Sequence, residues 1–299
     1  MALVTGSTDG IGLHTARRLA NAGHGVIIHG RSRSRVDNAV AEVNAAAAEG
    51  GGVAAAYVRD LSSLDGVRQL ARDVLQNHPR LDVLDNNAGV FEPRRVVTVD
   101  GFERTFQVNV LTPYLLTGLL LPRLARTAAV DASRDVRILN VASISQTPGV
   151  EWDNLNAEKA FTDHDSYCRS KTCVKLFSFA LHERLARAAR GETHLAASEL
   201  SEAGADALAN VSVITCDPGT VNTKMLLAGW GPCGIETYQA NDQFELLTQP
   251  RFAEEDTRGG YFVNLAMRQR PGGPKDATAD EREKLWGVLE DATGFRYPL

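Results

Sequence analysis

Tyr167 and Lys171 stand four residues apart, in a stretch where Val174, Phe177, Leu181 and Leu185 recur at helical spacing. Their side chains therefore share one helix face, one turn apart. An ammonium beside a phenol favours the phenolate and brings the tyrosine down from about 10, toward the range in which it passes protons. Ser143 follows the strand-like run Val136–Val141, at the end where open α/β sheets bind ligands. Thr5-Gly6-Ser7-Thr8-Asp9-Gly10-Ile11-Gly12 follows another apolar run and leads straight into a helical stripe. Glycines there allow a tight turn and close backbone approach, and the helix N-terminus offers N–H groups and a positive dipole end to a pyrophosphate. Asp9 reads as a cap of that turn. Singly, each feature has a plain alternative: a surface Tyr-x-x-x-Lys pair, a glycine-rich βα turn, a strand-end hydroxyl.

These positions need a scaffold that brings them together. Apolar runs and helical stripes alternate from the first residues, the pattern of a parallel sheet covered on both faces. Strands are predicted at Ala2–Thr5, Val26–His29, Val53–Arg59, Leu81–Asp85, Val136–Val141, Val211–Cys216 and Tyr261–Val263. Helices are predicted after the glycine loop and over Arg33–Glu49, Leu64–Gln76, Phe102–Leu121 (interrupted at Pro113), Ser166–Ala189 and Glu281–Glu290. Ile144–Asp165 is a long connection, and Gly191–Leu208 reads as a solvated acidic insertion. No linker, repeat or low-complexity tract divides the chain. The expectation is one α/β domain over 1–299, a doubly wound parallel sheet of Rossmann type, with a small substrate lid at about 222–258.

The 299 residues carry 32 Lys+Arg against 37 Asp+Glu, a net charge of −5. That mild acidity argues against nucleic acid as a partner. The longest apolar run, around Val110–Leu121, is broken by Thr112, Pro113, Thr117 and Gly118, so no membrane span is expected. Cys168, Cys173, Cys216 and Cys233 form no CxxC pair, and none of the seven histidines has ligand spacing. A reduced, metal-free protein of the cytoplasm is expected, and a homo-oligomer is left open.

Taken together, the motifs resemble the short-chain dehydrogenase/reductase family. Thr5-Gly6-x-x-x-Gly10-Ile11-Gly12, Asn86-Asn87-Ala88-Gly89, Asn109 within Phe106-Gln107-Val108-Asn109, Asn140-Val141-Ala142-Ser143, Tyr167-x-x-x-Lys171 and Pro218-Gly219-x-Val221-x-Thr223 occur in the family's order. The long gap between Ser143 and Tyr167, with Tyr261-Phe262-Val263-Asn264 and Leu285-Trp286 in the tail, is most similar to the retinol-dehydrogenase-like branch. A membrane anchor of the kind many of those enzymes carry is not read in the sequence.

The resemblance implies that Tyr167 exchanges a proton with the substrate oxygen and that Ser143 hydrogen-bonds it. Lys171 would hold the nicotinamide ribose and lower the Tyr167 pKa, and Asn109 would hold a water in the proton relay. A dinucleotide would lie against Gly6, Ser7, Thr8, Gly10, Ile11 and Gly12. Asp60 and Leu61 would face its adenine, with Asn87, Ala88 and Gly89 alongside and Pro218, Gly219, Val221 and Thr223 at the nicotinamide and phosphates. Two positions depart from the family: Ala142 replaces a serine, and Asp85 replaces an aliphatic strand residue, so that it needs a partner or a wet strand end.

The residues after the second strand, Gly30-Arg31-Ser32-Arg33, include no acid before Asp37. A carboxylate there would accept from a ribose 2′-hydroxyl, whereas an arginine suits a 2′-phosphate. Cations at a helix N-terminus also oppose its dipole, so NADP(H) is favoured, through Arg31, over NAD(H). The expected activity interconverts a carbonyl and an alcohol. Met225, Leu226, Leu227, Trp230 and Tyr238, facing Ile144, Val150, Trp152 and Phe161, imply a bulky apolar substrate. A silent NAD(P)-binding sensor or interaction protein would not need the acid–base pair, and a serine hydrolase would need a nucleophile elbow that Ser143 lacks.

Overall fold

The computed structural model describes residues 1–131, 135–193, 199–269 and 278–299. Its strands are β1 Ala2–Val4, β2 Gly25–Gly30, β3 Gly52–Val58, β4 Val83–Asn86, β5 Val136–Val141, β6 Val211–Asp217, β7 Tyr261–Val263 and β8 Ala266–Gln269. They form one sheet in the order β3-β2-β1-β4-β5-β6-β7-β8, parallel throughout except for the last pair. β1, β4, β5 and β6 are buried along their whole length, as strands covered on both faces must be. Alternation divides their side chains: Leu3, Leu84, Ile138 and Val213 enter one core layer, and Val4, Val83, Leu139 and Ile214 the other.

The helices are α1 Gly10–Asn21, α2 Arg33–Ala46, α3 Leu64–Asn77, α4 Arg104–Phe106, α5 Thr112–Val130, α6 Asp163–Ala189, α7 Glu199–Ala203, α8 Ala205–Ala209, α9 Lys224–Gly229, α10 Asp242–Thr248 and α11 Ala279–Thr293. Residues of α1, α2 and α10 cover one face of the sheet, and residues of α3, α5, α6 and α11 the other. Instead of breaking at Pro113, the α4–α5 helix widens into a π-turn over Gln107–Leu111 and runs on. Proline has no N–H for the carbonyl four residues back, and the wider turn relieves that mismatch. The continuous stretch Arg104–Val130 is long and apolar enough to cross a membrane, yet 89% of its apolar window is buried in this fold. It is a core helix.

Two expectations change. Gly191–Leu208 is not simply a solvated insertion: α7 and α8 bury Leu200, Ala207 and Leu208 in the core layer that also holds α5 and α6. Its acidic composition masked those apolar positions, and residues 194–198 lie outside the described residues. β8 was not expected. It returns from β7 through Asn264 and Leu265, both at positive φ (52° and 59°), as a two-residue primed hairpin turn requires.

Candidate active site

Strand order reverses between β1 and β4, and the crevice past their carboxyl ends encloses about 310 Å³. Gly6 (φ +66°) turns the chain there, and a Cβ on Gly12 would meet the Asn87 side-chain amide at 2.3 Å. Only glycine lets α1 begin this close to the β4 loop. That loop is tied down in turn: Ala88 N–H donates to Thr5 Oγ1 at 3.0 Å, and Asn87 Nδ2 donates to the Thr5 carbonyl at 2.8 Å. Thr8, Gly10, Ile11 and Gly12 line the crevice, with the free first-turn N–H groups of α1 among them. Ser7 does not, because its buried hydroxyl accepts from the His29 N–H at 3.0 Å and braces the loop on β2. Asp9 caps α1 through Gly10 N–H at 2.8 Å, and it also receives the Arg35 guanidinium at 2.6 Å and the Lys224 ammonium.

At the far end lie Arg31, Asp60 and Leu61. The Asp60 carboxylate accepts from the Ser62 N–H (2.9 Å) and hydroxyl (2.8 Å). The crevice is lined by six cationic side chains (Arg31, Arg35, Arg59, Arg104, Lys171, Lys224) and two carboxylates (Asp9, Asp60), so it suits an anion although the whole chain is acidic. Arg35 is held by Asp9, and the neighbouring Arg33 lies 3.8 Å from Asp37. Arg31 has no partner among the described residues. Arg104, paired with Glu92 at 3.1 Å, was not expected here; it lies one helical turn before Val108, which also lines the crevice.

The opposite end is built by α6. Thr162 caps this helix through Asp165 N–H, and the buried Glu103 fixes its first turn by accepting from the Ser166 hydroxyl at 2.8 Å. Glu103 also accepts from Thr105 N–H (2.8 Å) and Phe106 N–H (2.9 Å), so one carboxylate caps α4 and positions α6. Tyr167 and Lys171 both enter the crevice and both are buried. The Lys171 ammonium donates to the Val141 carbonyl at 2.7 Å, and its pKa is pushed down to about 8 by burial, against the opposing pull of Cys216 and Asp217. Burial pushes the Tyr167 phenol above its ordinary value, and the neighbouring Ser143 side chain acts the other way. The expected lowering by Lys171 is not found in this geometry. The ammonium is itself desolvated, committed to Val141, and 5.5 Å from the Tyr167 ring centre.

Ser143 sits just past β5, outside the crevice lining, and its carbonyl is held by the Tyr261 hydroxyl at 2.9 Å. Asp217 joins the loops after β5 and β6 by accepting from Ile144 N–H (2.7 Å) and Gly219 N–H (2.8 Å). Asn109, in the π-turn, spends its side chain on protein. Its amide donates to the Val90 carbonyl (3.1 Å) and Ser170 Oγ (2.9 Å), and its oxygen accepts from Val90 N–H at 2.8 Å. Pro218 and Thr223 line the crevice, whereas Gly219 and the buried Val221 shape the turn between them. Among the described residues Asp85 has no hydrogen-bond partner, and it has no wet strand end: it is fully buried, and burial raises its pKa well above the carboxylate range.

Over the Tyr167 end, the chain after β6 places Met225 in the crevice and Trp230 against three other rings. The indole centre is 4.9 Å from Phe91, 4.8 Å from His164 and 5.5 Å from Tyr167. Phe91 and His164 escaped the sequence reading, though one closely follows the Asn86–Gly89 motif and the other precedes Tyr167 by one helical turn. Leu227, Tyr238 and Ile144 are exposed, and Trp152 turns away to pack under Lys284 of α11, 4.7 Å from its ring centre.

The short chain dehydrogenase family matches residues 1–189. Human retinol dehydrogenase 14 is 32% identical over 98% of this chain and 86% of its own length. Human retinol dehydrogenase 13 is 35% identical over 99% and 85%. Among solved structures, the RhlG/NADP active-site complex of Pseudomonas aeruginosa shares the fold with a TM-score of 0.65 (23% identity, 92% of this chain and 95% of that one). The 3-ketoacyl-(acyl-carrier-protein) reductase of Brucella melitensis complexed with NADH does so with 0.61 (23%, 88% and 95%). The residues present fit a dinucleotide: a glycine loop without room for a Cβ, open helix N–H groups and a cationic lining along one crevice. The chain belongs to the short-chain dehydrogenase family, in its retinol-dehydrogenase-like branch, and is an NAD(P)-dependent oxidoreductase of the CH–OH/C=O couple.

Proposed function

We propose that the enzyme prefers NADP(H) and interconverts bulky apolar ketones or aldehydes with their alcohols. The carrying observation is Arg31, which lines the crevice past β2 with no partner among the described residues while its neighbours Arg33 and Arg35 face Asp37 and Asp9. A ribose 2′-phosphate is the anion that would complete it. The apolar substrate is supported by the rings of Phe91 and Trp230 beside Tyr167, and by the absence of Lys and Arg between Lys224 and Arg251 in the sequence.

When bound, the nicotinamide supplies or takes the hydride. Tyr167 Oη gives its proton to the carbonyl oxygen in reduction and takes it back in oxidation. The Ser143 hydroxyl donates to the same oxygen as charge grows on it. Lys171 presents a positive charge at the ribose end of the site, and Asn109 keeps the Val90 turn fastened to α6, so that Lys171 and Tyr167 stay in register with the crevice. Four unpaired cysteines, two of them buried, support the cytoplasm as the location.

The test is kcat/KM with NADPH and NADH, for a lipophilic aryl or long-chain carbonyl and for a small anionic keto acid. NADPH and the lipophilic carbonyl should win. Arg31→Ala should weaken NADPH binding by roughly 1.5–3 kcal/mol, the worth of a charge-assisted hydrogen bond, and leave NADH nearly unchanged. An NADH preference in the native enzyme, or a preference for the keto acid, overturns the corresponding half of the proposal.

A further inference from the structure

His29 lies near the end of β2, beneath the glycine loop, and all of its polar groups are engaged. The residue is 3% exposed, and its ring borders the crevice. Nδ1 accepts from the Gly6 N–H at 3.1 Å, and Nε2 faces the Arg59 carbonyl at 3.1 Å. A backbone N–H only donates and a carbonyl only accepts, so the ring is the neutral Nε2–H tautomer. Burial favours that neutral form and pushes the imidazole down to about 4, although the Arg59 carbonyl and Asp60 act the other way. The backbone is equally committed: His29 N–H donates to Ser7 Oγ at 3.0 Å, and its carbonyl accepts from Ser7 N–H at 3.0 Å. Gly30 adds to the closeness of the contact, since a Cβ there would stand 2.5 Å from Thr8 Cγ2.

These bonds join three segments that border the same crevice: the glycine loop, the end of β2, and Arg59–Asp60 beyond β3. We propose that His29 is a positioning residue for the dinucleotide, setting the separation between the loop that takes the diphosphate and the segment that takes the adenosine. The proposal rests on reading the crevice as a dinucleotide site. An aliphatic side chain at this position leaves the Gly6 N–H and the Arg59 carbonyl unpaired in a buried place. Both then gain by moving toward water, and each carries its own wall of the crevice with it. Tyr167 and Lys171 are placed by α6 and β5, which His29 does not hydrogen-bond, so the chemistry of a saturated enzyme is spared.

The test titrates the full-length protein and its His29→Leu, His29→Asn and His29→Gln variants with NADPH and NADH, and measures kcat at saturating cofactor. His29→Leu should weaken both dinucleotides by the same factor, roughly ten- to a hundredfold for two buried groups left unpaired, with kcat near wild type. Asparagine keeps an acceptor near the Gly6 N–H, and glutamine keeps a donor that reaches the Arg59 carbonyl, so each should recover part of the loss for both cofactors. That equality separates His29 from Arg31, whose effect is confined to NADPH. A His29→Leu protein with undiminished affinity overturns the proposal. So do Asn and Gln variants no better than Leu, since ring volume would then be the only requirement. If the Leu variant does not fold, Asn and Gln variants that lose affinity for both dinucleotides at unchanged kcat support the proposal, and variants that bind as wild type overturn it. Wild-type protein that binds neither dinucleotide overturns the reading of the crevice itself.

Discussion

The indole of Trp230 stands edge to face with the ring of Tyr167, centres 5.5 Å apart and planes at 66°, although 63 residues separate them in the chain. The segment after β6 is thereby seated on Tyr167, through a contact that Phe91 and His164 extend. Aromatic pairs of this kind contribute about 0.5–1.5 kcal/mol each beyond their buried area. Trp230→Ala should raise KM for a bulky apolar carbonyl several-fold while changing the KM of a small aliphatic carbonyl little. Equal changes for the two substrates would show that Trp230 closes the site without sorting what enters it.

Tyr167→Phe keeps the ring and its contacts with Phe91 and Trp230 but removes the proton. General acid–base catalysis is worth about 10²–10⁴-fold. Turnover should fall at least that far, with cofactor affinity, measured by fluorescence titration, unchanged. Turnover near wild type would remove Tyr167 from the mechanism.

The pH dependence should follow Lys171. Burial lowers its pKa to about 8, from about 10.4 for a solvated lysine, so the free enzyme loses this positive charge above roughly pH 8. kcat/KM for the cofactor, which reports groups of the free enzyme, should decline as pH rises through that value. In Lys171→Met it should be low and flat over the same interval. A wild-type profile that stays level to about pH 9.5, well past that value, would contradict this role.

Asp85 should be a source of instability. Its folded pKa lies well above the value of about 3.9 it has in the unfolded chain, so the folded state binds the extra proton. Any stability it contributes is therefore present at acid pH and is lost as pH rises from about 4 through the folded value. Asp85→Val replaces an unpartnered buried carboxyl with an apolar strand former and should stabilise the protein by roughly 1–3 kcal/mol near neutrality. Thermal melts of both proteins at acid and mildly alkaline pH check this, with the gap widening as pH rises. A valine variant that melts lower at pH 8 would mean that the site is not apolar enough to penalise the charge.

Much of this was legible in the chain. Short, β-branched-rich apolar runs bounded by turn residues, such as Val26–Ile28 between Gly25 and Gly30, read as strands covered on both faces, and their positions follow from length and flanks. The glycine loop and the Tyr167–Lys171 spacing likewise state their geometry locally. What escaped depends on distant packing. Phe91 and His164 meet Trp230 only once three separate segments have folded, and Trp152 reads as a site aromatic until α11 supplies Lys284 to cover it. β8 was hidden because Leu265 is an unusual residue for positive φ. Asp85 could be marked as anomalous from its neighbours, but not that it would be left without a partner.

Glu103 illustrates how such a molecule will answer a mutational scan. It touches neither the crevice nor the reacting atoms, yet its two carboxylate oxygens hold the start of α4 and the residue before Tyr167. In a library sorted only for turnover, losses at Glu103 and at Tyr167 will look alike. Sorted also for abundance in the cell, they will part: the Tyr167 variants accumulate as folded, inert enzyme, while the Glu103 variants are depleted before catalysis is ever tried.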